Sequence, residues 1–170
     1  RAFLNSLRAT GHVLDAKADE ARLSVAAAAI AAGVVGATPI PGPDALVLAP
    51  IQALMMARIN VIFAIDMSRE QVASLAQALL TAGAVTIAGR YVAGELAKLI
   101  PGVGSAAAAT VAALLTYSLG EAYIYMCRQI VLARAEGRTL VMEDAAQILL
   151  DHMMPLLKGG KLPDAITRRL

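Results

Sequence analysis

The sequence predicts an all-α fold, a compact bundle of about six helices in which two apolar helical hairpins are turned by Pro-Gly motifs. Three observations carry this. No stretch alternates apolar and polar residues for more than a few positions, as a half-buried strand requires. Charge is withheld from three long runs, 21 residues from Leu23 to Pro43, 19 from Gln71 to Gly89 and 22 from Leu99 to Gly120. Breakers and capping residues then cut the chain at helix-length intervals.

The first helix is expected from about Asp15 to Val35, polar in its first third, Ala-rich afterwards and ending near Gly33 and Gly36. Pro39, Pro41, Gly42 and Pro43 exclude helix from the next segment, because proline fixes the backbone and lacks an N–H donor. Asp44 stands where an N-cap belongs, opening a helix to about Ile65 in which Pro50 removes one hydrogen bond and introduces a kink. Ser68 and Gln71 form a capping-box pattern; the helix they open puts Val72, Leu75, Ala76, Leu79 and Leu80 on one stripe and ends near Gly83. Another runs from about Val85 to Leu99 and is stopped by the turn containing Pro101, Gly102 and Gly104. Ser105 caps the longest helix, which continues to about Ala135 before Gly137. The last, from near Met142 to Lys158, carries Glu143 and Asp144 at its start and Lys158 at its end, as the helix macrodipole favours. Pro155 distorts it and Gly159-Gly160 ends it. Small residues recur every fourth position at Ala28, Ala32, Gly36, at Gly89, Ala93, Ala97 and at Ser105, Ala109, Ala113, a spacing that lets helix backbones approach closely.

Length and composition fit one helical domain over residues 1–170, with a core from 23 to 135 and a C-terminal helix at about 142–158. The chain reads as part of a longer protein. Of its residues 58% are hydrophobic and only 16% charged, against roughly 25% charged in soluble domains. The apolar excess must be covered by lipid or by tight helical packing. A net charge of +2, with no basic block beyond Arg168 and Arg169, gives no footprint for nucleic acid. Cys127 has no second cysteine to pair with, and reads as a buried thiol in a reducing, cytoplasm-facing setting.

Catalytic patterns are missing. Gly102-Val103-Gly104-Ser105 has glycines and a following helix but neither a preceding strand nor the lysine of a phosphate cradle, and Gly159-Gly160-Lys161 runs into Leu162-Pro163. His12 and His152 are too far apart in sequence to suggest a metal motif. No catalytic, cofactor or metal residue is assigned. The informative positions are polar groups set in apolar surroundings, namely Asp44, Gln52, Arg58, Glu95, Thr116 and Glu121. A buried charge needs a partner, so Arg58 is expected to meet Glu95, Glu121 or a lipid phosphate, and Asp44 to cap its helix. Pro41, Gly42, Pro101, Gly102, Gly104 and Gly120 complete the structural or interaction candidates.

The order Pro39-Ile40-Pro41-Gly42-Pro43-Asp44, Ile51-Gln52, Ala57-Arg58-Ile59, Lys98-Leu99-Ile100-Pro101-Gly102-Val103-Gly104-Ser105 and Thr116-Tyr117-Ser118-Leu119-Gly120-Glu121-Ala122 resembles the bacterial YcjF-like domain family of unknown function. The resemblance covers roughly Ala26 to Met126. It departs from the family at Pro50 and at Phe63-Ala64-Ile65, where a Tyr-Gly pair is more usual. The family's hydrophobic helical domain commonly follows a small GTPase domain or stands in membrane proteins, and offers no catalytic residues to carry over. The resemblance therefore implies a membrane-associating module, on the cytoplasmic side, that anchors or regulates a GTPase domain, fused or separate. Its partners would be membrane lipid or a detergent-like apolar surface, that GTPase domain, or a second copy in a homo-oligomer. The other reading is a soluble interaction or oligomerisation domain, or a bundle that binds an apolar ligand.

Overall fold

The computed structural model describes residues 2–37, 45–67 and 104–170. Among them are five helices and no strand: α1 (Ala2–Ala37), α2 (Ala45–Phe63), α3 (Gly104–Ala135), α4 (Met142–Gly159) and α5 (Asp164–Thr167). The fold class is all-α, as the periodicity indicates. The helices expected at 68–83 and 85–99 lie outside the described residues, and so do the turns at Pro41-Gly42 and Pro101-Gly102.

α1 and α3 form the largest helix pair. On α1 the buried positions step by four and three, through Leu14, Ala18, Ala21, Val25, Ala28 and Ala32, the spacing that keeps one stripe on a neighbouring helix. α1 starts well before the expected Asp15, because residues 2–14 contain no proline and Leu14 already belongs to this stripe. The pair is antiparallel: Asp15 Oδ1 lies 2.7 Å from the Arg128 guanidinium, Arg22 reaches Glu121, and Gly36 meets Ala108 and Ala112. A Cβ on Gly36 would stand 2.8 Å from the Ala108 carbonyl oxygen and 2.9 Å from the Ala112 Cβ; one on Gly33 would be 3.3 Å from the Ala109 carbonyl oxygen. Gly36, which ends the α1 row of small residues, thus meets Ala108 and Ala112, while Ala109 and Ala113 of the α3 row meet Gly33, one residue outside the α1 row's spacing. With little side chain between them, the backbones gain dispersion contacts over the full overlap.

α2 lies against both partners, antiparallel to α1 and parallel to α3, and buries Met55, Ile59 and Phe63. It runs through Pro50, which is exposed. Its C-terminus falls two residues before the expected Ile65, and the reason is a Schellman motif. The Ile65 N–H donates to the Asn60 carbonyl at 2.9 Å and the Ala64 N–H to that of Val61 at 3.1 Å, with Ala64 at φ 54°. α3 ends the same way, Arg138 bonding to Ala133 at 2.8 Å and Gly137 to Arg134 at 3.0 Å, with Gly137 at φ 73°. A side chain in the left-handed region costs about 1–2 kcal/mol, and only α2 bears that cost. Ala64→Gly should therefore raise stability by about 1 kcal/mol, measured as the urea midpoint at unchanged slope; an unchanged or lower midpoint would contradict this account of the α2 end.

α4 packs on α3 through Ala145, Ala146, Leu149, Met153 and Leu157, a clean four-residue stripe. His152 stacks on Tyr125 with ring centroids 4.2 Å apart and planes 3° from parallel. Its acidic first turn and Lys158 sit as the macrodipole favours. Pro155 stays inside the helix on its exposed side, and Gly160 at φ 59° closes it by donating to the Leu156 and Leu157 carbonyls. α5, absent from the sequence reading, is one turn long and rests on α1 with Ile166 buried.

Candidate functional site

α3 is enclosed by α1, α2 and α4, so the polar groups it carries must find partners inside. Gln52 of α2 and Thr116 of α3 are brought together, Gln52 Nε2 donating to Thr116 Oγ1 at 3.4 Å. Two turns further along α2, the Tyr123 hydroxyl donates to Asn60 Oδ1 at 2.9 Å. The Cys127 thiol sits 3.9 Å from the same oxygen, and Met67 Sδ is 3.6 Å from the Tyr123 hydroxyl. Asn60, Tyr123 and Cys127 are all buried. This is a polar seam between α2 and α3 that fixes their register, since sliding either helix by a turn would strand a hydroxyl or an amide in an apolar core. Burial pushes the Cys127 thiol up to about 12, so the free cysteine is held neutral and unreactive. Tyr123 is also raised, first by burial and then by the neighbouring Cys127, with the Asn60 bond working in the opposite direction. Ser118 Oγ is buried with no hydrogen-bond partner among the described residues.

The charge pairing differs from expectation. Glu121 is met by Arg22 of α1, whose Nε lies 3.3 Å from both carboxylate oxygens, while the same guanidinium reaches Asp19 at 2.8 Å. Arg58 instead points to the surface, where with Glu20, Ser24, Ala57, Val61 and Ile62 it lines an open hollow of about 380 Å³ between α1 and α2. It has no ion-pair partner among the described residues. Gly120 lies under Val25 and Met55. Gly104, expected in a turn, is the first residue of α3. Pro41, Gly42, Asp44, Glu95, Pro101 and Gly102 fall outside the described residues. Among the described residues no three His, Cys, Asp or Glu side chains converge to hold a metal ion.

The outer side of α1 and α2 is apolar. Leu23 is 73% exposed and Val34 59% on α1; Leu54 is 60% and Val61 80% on α2. Ala27 and Ala31 lie between the first two on α1 and are exposed as well. From Thr10 to Ala37 α1 is long and apolar enough to cross a bilayer, alone in this among the described residues, and 33% of its most apolar window is buried. Core helices of soluble proteins meet the same length and composition test, so the exposed outer side is the more informative fact.

Asn60 and Tyr123 escaped the sequence reading. Asn60 is the single amide in the run from Met55 to Phe63, and Tyr123 follows Thr116 by one heptad, so both signals were there to be read.

These features define an all-α domain built around one enclosed helix, with a polar seam inside and an apolar outer face. Over residues 8–152 the chain matches the model of a family described as a domain of unknown function, DUF697, and it belongs to that family. No curated protein and no solved structure matches it.

Proposed function

We propose that the chain is a membrane-associating helical module, held on the cytoplasmic side, that anchors or regulates a GTPase domain fused to it or separate from it. The carrying observation is the outer side of α1 and α2, where Leu23, Val34, Leu54 and Val61 are exposed, with Arg58 between Leu54 and Val61 on α2. Large apolar side chains exposed on two neighbouring helices are costly on a free monomer and mark an interaction surface. The GTPase part of the reading rests on the resemblance to YcjF-like domains, and the free Cys127 suits a reducing compartment.

The full chain, expressed in bacteria, should sediment with membranes, stay there through a high-salt wash and be released by detergent. The wash is kept near neutral pH because ionisation of the buried Cys127 and Tyr123 in alkali is expected to destabilise the core. Leu23→Asp with Val61→Asp should move the protein to the soluble fraction without lowering its melting temperature, since both side chains face outward. Recovery of the parent as a monomer in detergent-free buffer would reject membrane association. A soluble dimer that the same pair of substitutions dissociates would instead establish the oligomerisation reading.

A further inference from the structure

The last turn of α4 and the segment after it are basic. Lys158, Lys161, Arg168 and Arg169 are all exposed, and Asp164 is the one acid among residues 158–170. This segment is fastened to α1: Ile166 is buried, α5 contacts α1, and Leu170 lies over Gly33, in space that a side chain there would occupy. The chain at Arg168 and Arg169 is thereby held near the C-terminal half of α1, where Gly33 precedes the exposed Val34. The opposite half of α1 carries Asp15, Asp19 and Glu20 together with Lys17 and Arg22, and two of those acids are paired, Asp15 with Arg128 and Asp19 with Arg22. The excess of exposed cations over acids therefore gathers in the chain from Lys158 onward.

Resting on the membrane reading above, we infer that the α1 ridge and the basic α5 segment together form a docking surface for an anionic phospholipid bilayer. Leu23 and Val34 enter the acyl boundary and Arg168 and Arg169 contact lipid phosphate. The two contributions suit each other chemically. Interfacial binding grows with buried apolar area and with attraction to anionic lipid. Arginine matches a phosphate through two parallel N–H donors, so cations fixed at headgroup depth favour phosphate over solvent. The cluster also gives an orientation, with the α5 edge toward the bilayer.

The test is flotation of the full chain with two kinds of vesicle, phosphatidylcholine alone and three parts phosphatidylcholine to one part phosphatidylserine. The parent should float with both and bind the phosphatidylserine vesicles more tightly, the excess disappearing at high salt. Each cation at the surface is worth about fivefold, so Arg168→Gln with Arg169→Gln should weaken binding to phosphatidylserine vesicles by about twentyfold to thirtyfold and leave phosphatidylcholine binding unchanged. Lys158→Gln with Lys161→Gln should act in the same direction, which guards against a folding defect specific to the arginine pair. Leu23→Asp should weaken binding to both vesicles. Equal binding of the parent to the two vesicles, insensitive to salt and to both substitution pairs, overturns this inference and leaves the membrane reading standing. Failure to float with either vesicle overturns both. Binding of a DNA duplex as tight as that of the phosphatidylserine vesicles also overturns the inference, because the cluster would then recognise charge without a lipid surface.

Discussion

Gly120→Leu should cost about 3 kcal/mol or more and lower the melting temperature by well over ten degrees. A Cβ at position 120 would lie 2.5 and 2.6 Å from the two Val25 methyl carbons and 3.1 Å from Met55 Sδ. Val25 is fully buried, and as a β-branched residue on a helix it has one good rotamer, so it cannot swing aside. Met55 can yield, but only α1 moving away from α3 relieves Val25. Gly120→Ala should be milder, because alanine's gain in helix propensity of about 1 kcal/mol offsets part of the clash. A double-mutant cycle with Val25→Ala checks the cause. The pair Val25→Ala and Gly120→Ala should be more stable than the sum of the single effects indicates. Strict additivity would place the strain elsewhere.

Tyr123→Phe is expected to destabilise by about 1–3 kcal/mol, with the fold and the outer face retained. The lost hydroxyl leaves Asn60 Oδ1 with only the distant Cys127 thiol, in a position where water does not compensate. Asn60→Leu should cost a comparable amount by orphaning the tyrosine. The two together should cost less than their sum, since replacing both partners removes the unsatisfied group. The seam also sets an alkaline limit. Cys127 and Tyr123 are both raised by burial, so their contribution is complete below the ordinary thiol value of 9.0 and is lost as pH climbs toward about 12. Melting temperature measured from pH 8 upward should fall across that window, and Cys127→Ala should flatten the fall. A flat parent profile would contradict the buried placement of both groups.

Local signals in the sequence located α3 and α4, whereas α1 begins thirteen residues before the expected Asp15. Gly137, Gly159-Gly160 and the acidic start at Glu143-Asp144 bound α3 and α4 to within a residue or two, because caps and breakers act on their own neighbourhood. The end of α2 was missed because the turn that closes it has alanine where glycine is expected. α5 has too few residues to show periodicity. Interhelical facts were harder to read. Gln52 and Thr116 could be singled out as polar intrusions, yet nothing in their spacing said that they meet. Glu121 was one of three partners expected for Arg58, but it meets Arg22, which lies 99 residues away on another helix. Arg58 itself faces outward on α2, where an interhelical pair with Glu121 is out of reach. Such pairings depend on which faces pack, and that is decided by close approaches at Gly33, Gly36 and Gly120 that composition alone does not reveal.

The pairing of α1 with α3 also carries a timetable. α1 is complete once residue 37 has been made, but Arg128, the last of its described ion-pair partners, comes 113 residues after Asp15. At ribosomal rates of about 5–20 residues per second, the Ala- and Val-lined stripe of α1 waits for about 5–20 seconds before α3 exists to cover it. Until then α2 is the one described helix that can cover α1, and the stripe that α3 will bury stays bare along with Leu23 and Val34. A nascent chain in that condition favours whatever apolar surface is at hand, a chaperone or the bilayer itself. On the membrane reading proposed above, delivery would then begin on the ribosome, and α3 would arrive to close a helix already moored by its outer side.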